Sequence, residues 1–79
     1  MLQSNFHLGR AMSTQSDLLN KAAECERLMN LETNEDKKLA FKLLREMWIA
    51  VANESATLEP EELARQIASV EKIQARLVS

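Results

Sequence analysis

The chain has 79 residues, 46% of them apolar and 28% charged, which is too apolar for a disordered protein and enough for one small domain. Twelve acidic against ten basic side chains leave a net charge of −2, so no overall positive field gathers phosphate backbones, and nucleic acid is a poor candidate partner. One Cys and one His exclude an intrachain disulfide and any zinc-type ligand pattern.

A domain of this length buries only about 60% of the surface its unfolded chain exposes. Small domains usually add a disulfide, a metal or a second subunit. With the first two set aside, the expectation is a homo-oligomer, most simply a dimer, or docking on another protein. The lone Gly9 and the lone Pro60 both fall outside the helix interiors read below, there is no Tyr, and no window alternates with period two. These features predict an all-α protein, a three-helix unit built on an antiparallel helical hairpin and open to completion by dimerisation.

Residues 1–13 have no sustained periodicity and are read as a flexible N-terminal arm, with Met12 as an alternative natural start. Arg10 follows the apolar residues of this stretch instead of preceding them, unlike a secretory signal. The longest nearly apolar run, Met47 to Ala52, is far shorter than the roughly 20 residues that cross a bilayer. A lone Cys suits a reducing compartment, so the expected setting is cytoplasmic and away from membranes. Residues 14–79 are expected to form a single helical domain with helices at about 17–31, 34–54 and 60–77.

The first helix is predicted to start at Ser16, a good N-cap, with Asp17 in the dipole-favoured first turn. Leu18, Leu19, Ala22, Cys25 and Met29 share one face, while Glu24, Arg27 and Asn30 lie opposite. Leu28 and Leu31 fall off the main stripe. Thr33, Asn34, Glu35 and Asp36 resemble a capping box with Thr33 as the cap of the second helix. A link this short turns the two helices into an αα-hairpin.

On a helical wheel the apolar residues of the second helix, Leu39, Ala40, Phe41, Leu43, Leu44, Met47, Trp48, Ala50, Val51 and Ala52, sweep an arc of about 220°, against the roughly 100° that one neighbour covers. This helix is therefore expected at the centre, between two others. In the third helix Pro60 suits the first helical position, with Glu61 and Glu62 at the positive end of the dipole. Leu63, Ile67, Val70, Ile73 and Leu77 form its apolar stripe. Leu63, Val70 and Leu77 with Ile67 and Gln74 also read as a short heptad seam, in which Gln74 sets register in a dimer or sits at a frayed end.

Groups with chemistry to offer are few. His7 lies in the arm without a partner, and Cys25 lies on an apolar face and reads as core. The acid pairs Glu24 and Glu26, Glu35 and Asp36, and Glu61 and Glu62 occupy helix starts or polar faces, where sequence neighbours do not face each other. No catalytic, cofactor or metal residues are assigned, and an enzyme is not expected. Lys38, Lys42 and Arg45 share the narrow polar face of the second helix, and Ile49 stands beside them as an isolated apolar side chain. These four are the candidate partner contacts, although such a charge row is more often a solvated face. Trp48 falls inside the broad arc and reads as core.

The run Lys21-Ala22-Ala23-Glu24-Cys25-Glu26-Arg27-Leu28, followed by Thr33 and then by Trp48 and Ala52, resembles a loose group of small uncharacterised helical-hairpin proteins of alphaproteobacteria. In these an Ala-Glu-Cys helix leads through a short threonine turn to a Trp-bearing helix. The resemblance implies a helical hairpin and brings no activity, substrate or site with it. The functional expectation is thus a non-catalytic protein–protein interaction or regulatory protein that self-associates. The alternatives are a nucleic-acid-associated regulator using the basic face, and a small accessory subunit or metabolite sensor.

Overall fold

The computed structural model describes the backbone of residues 2–78 and the side chains of residues 14–78. The expectation of an exposed His7 falls outside the residues whose side chains are described, and α1 begins at Leu2, upstream of the expected cap at Ser16 and through the stretch read as an arm. Among the described residues there are three α-helices and no strand: α1 (Leu2–Leu31), α2 (Glu35–Glu54) and α3 (Pro60–Val78).

Three residues, Glu32, Thr33 and Asn34, join α1 to α2. The cap of α2 is Asn34, not the expected Thr33. Its backbone is extended, and its side-chain oxygen accepts from the Lys37 amide at 3.0 Å, satisfying one of the amides a helix start leaves without a partner. Glu32 reaches forward to accept from the Asn34 amide at 3.2 Å. Both Thr33 and Asn34 are good capping types, and the choice between them depends on where the chain leaves α1. Glu35 and Asp36 then lie in the first turn, where the helix dipole favours acids.

Two contacts give the direction of the pairing. Glu26 of α1 meets Arg45 of α2, and Lys21 of α1 meets Trp48 further along α2. The residues run in opposite order along the two helices, as an antiparallel hairpin requires. At the far end of α2, Ser55 Oγ donates to the Ala52 carbonyl at 2.7 Å, and the Thr57 and Leu58 amides both donate to the Glu54 carbonyl at 3.0 Å. The chain turns there in an ordered link, and α3 begins at Pro60, which needs no amide donor.

The core lies along α2. Leu18, Ala22 and Cys25 come from α1, Phe41, Leu44, Trp48, Val51 and Ala52 from α2, and Val70 alone from α3. Leu28, Met29, Leu63, Ile67 and Leu77 pack around it half-buried. Leu28, which sequence places off the stripe, is thereby part of the packing, whereas Leu31 stays exposed. The two covers of α2 are unequal. α1 lies close against it, α3 rests on it more lightly, and among the described residues no Cα of α1 comes within 8 Å of one in α3.

Candidate interaction surface

At the centre of the molecule a single oxygen ties the helices together. Trp48 Nε1 donates to Gln74 Oε1 at 2.8 Å, and Cys25 Sγ lies 3.9 Å from the same oxygen. The indole is fully buried, so its N–H needs this acceptor. Gln74 is therefore not at a frayed end: within this chain it docks α3 on the hairpin. Lys21 closes the cluster, its Nζ 5.3 Å from the Trp48 ring centroid and 3.8 Å from Glu71 Oε2.

Cys25 is buried, and desolvation pushes its thiol above the ordinary range, with the Glu24 charge acting in the same direction. A thiol held protonated is a poor nucleophile at neutral pH, consistent with a packing role. Glu24 itself is held below the usual carboxylate range by its hydrogen bond to Arg27, whose Nε donates to it at 3.2 Å. This pair is solvent-exposed, and exposed pairs contribute little to stability.

The four candidate contacts do not form one surface. Arg45 is engaged, with Nη1 3.3 Å from Glu26 and Nη2 3.8 Å from Glu46, so its guanidinium braces the hairpin. Ile49 is half-buried and packs against the core, which accounts for an apolar residue on the same face as the basic row. Lys38 and Lys42 are brought together at a shallow recess that also holds Glu35, Asp36, Asn30 and Met29. Their positive charge thus shares its surroundings with two carboxylates.

The more distinctive surface is apolar. After α1 and α3 are in place, Leu39 and Leu43 remain 58% and 56% exposed. Next to them, Ala40, Leu43, Leu44 and Met47 of α2 face Ile73 and Leu77 of α3 across a groove of about 420 Å³, with Arg76 at its edge. A second recess continues along the same seam from Met47 to Glu54 on α2 and from Val70 to Glu62 on α3. The 220° arc contained the signal for this surface: an α1 on one side and a light α3 on one flank cannot close so wide a face.

Among the described residues no group of His, Cys, Asp and Glu is arranged to hold a metal ion. No helix there is long and apolar enough to cross a membrane. Comparison with protein-family models, with curated proteins and with solved structures finds no match.

Proposed function

We propose that this chain is a non-catalytic, cytoplasmic interaction or regulatory module that works as a self-associating helical unit. The observation that carries this reading is the exposed pair Leu39 and Leu43 on the central helix, a position that both neighbours leave open. Finishing the burial of a half-exposed leucine contributes about 1 kcal/mol, and a chain this small has little stability to spare. The apolar groove beside the pair extends the same face onto α3. Arg45, already occupied by Glu26 and Glu46, is not presented to a phosphate, which argues against the basic row as a nucleic-acid footprint.

The test is light scattering on the eluting protein over a wide range of loading concentrations, together with urea unfolding at each concentration. Self-association predicts a mass twice that of the chain and an unfolding midpoint that rises with concentration. A single-chain mass with a concentration-independent midpoint defeats the reading.

A further inference from the structure

We propose that a second copy docks antiparallel on α2, about a two-fold axis that passes between Leu43 and Met47 and close to Ile73. The proposal rests on the reading that the chain self-associates, and adds which face is used and in which orientation.

The face follows from helical geometry. At about 100° per residue, Leu39, Leu43 and Met47 make a ridge of side chains four residues apart, and Ala50 returns onto it. Phe41, Trp48 and Ala52 point the other way, into the core shared with α1, and Leu44 and Val51 lie on the flank that α3 covers. The ridge is the remaining side. Its flank away from α3 carries Lys42 and Glu46, both exposed, with Glu46 also 3.8 Å from Arg45 Nη2 of its own chain and still open to solvent on its outer side.

Turning this face on itself about the proposed axis sets Leu43 against Met47 of the second copy and Leu39 against Ala50 of the second copy, each contact made twice. The same rotation brings like flank to like flank, so Lys42 meets Glu46 of the second copy, also twice. On the opposite flank the two α3 helices come alongside each other with Ile73 nearest the axis. Apolar groups thus meet apolar groups, and Lys42 and Glu46 on the outer flank each meet the opposite charge. A parallel two-fold instead swings the Lys42 and Glu46 flank against Ile73 and α3 of the second copy, burying charge on an apolar side chain, which is unfavourable. Ridges of this kind pack at about −50°. That crossing makes the helix ends diverge, which separates Asp36 from Glu54 of the second copy, a like-charged pair on α2 that the axis would otherwise align.

The experiment uses the full chain and two variants, Lys42→Glu and Glu46→Lys, each purified alone and then mixed in equal amounts, with dimer dissociation followed by sedimentation and helicity by circular dichroism. The wild type is expected to dimerise. Each variant alone should dissociate roughly tenfold more readily, because both reciprocal pairs become like-charged. The mixture should return to near wild-type affinity, since every cross-pair is again opposite in sign, a recovery that a change in folding does not produce. If the wild type dimerises but the variants do so equally well, or the mixture recovers nothing, this face and orientation are wrong while self-association stands. If the wild type is a monomer throughout, both proposals fall, and the face is left to an amphipathic helix from another protein.

Discussion

Gln74 links all three helices, since its side-chain oxygen receives a hydrogen bond from the central helix and lies beside a thiol of the first. A buried indole N–H that loses its acceptor costs about 1–3 kcal/mol. Gln74→Leu should therefore lower stability by about that amount, and Trp48→Phe, which removes the donor and leaves the Gln74 oxygen without it, by a similar amount, while the double variant should cost clearly less than their sum. A double-mutant cycle in urea measures the difference, and strict additivity would show that the 2.8 Å contact carries no coupling. At the hairpin turn, Asn34→Ala should cost about 1 kcal/mol and Thr33→Ala no more than about 0.5 kcal/mol, read from the denaturant midpoint. The reverse ranking would return the cap to Thr33. These residues also mark where sequence is least legible. A polar side chain in an apolar seam and two adjacent capping types are each compatible with two structures, and only the approach of a distant segment, Trp48 for Gln74 and the exit of α1 for Asn34, decides between them. Arg45 and Ile49 show the same: on a wheel they belong to a polar face, and in the fold one braces α1 and the other packs on the core.

The helices themselves were far more readable, because amphipathic period, capping types and the placement of Pro60 act locally. The width of the apolar arc on α2 correctly implies a neighbour on either side, and it also contains the exposed leucines, since the arc exceeds what one close and one light neighbour can cover. What periodicity does not carry is how firmly each neighbour is held. Among the described residues α3 contributes one buried side chain, Val70, and its polar contacts to α1 are those of Gln74 with Cys25 and of Glu71 with Lys21. Local stability follows such packing. Amides in α3 should exchange with deuterium at least about tenfold faster than those in the facing stretches of α1 and α2, measured by mass spectrometry or NMR at low concentration. Uniform protection across the three helices would show that the bundle opens only as a whole. Raising the concentration should slow exchange in α3 as well as in α2, because the proposed two-fold brings the third helices together.

At the scale of the molecule, the structure measures 48 × 23 × 21 Å. The long dimension matches α1, whose 30 residues span about 45 Å at 1.5 Å per residue. An elongated unit this small has a high ratio of surface to core, so its exposed apolar groups weigh heavily in how it behaves in solution. Replacing Leu39 and Leu43 together by Gln should leave the far-ultraviolet spectrum unchanged, since both side chains are already more than half exposed, and should abolish the concentration dependence of unfolding. A spectrum that collapses would show instead that these leucines support the single chain. The two short links, residues 32–34 and 55–59, also bear on timing. Each helix has only to find the one next to it in sequence, and chains dominated by such local contacts fold in microseconds to milliseconds. Assembly of two copies is bimolecular, and its rate falls with dilution. If two copies assemble as proposed, the slow event at low concentration is the encounter between finished chains, so assembly slows on dilution while folding of each chain does not.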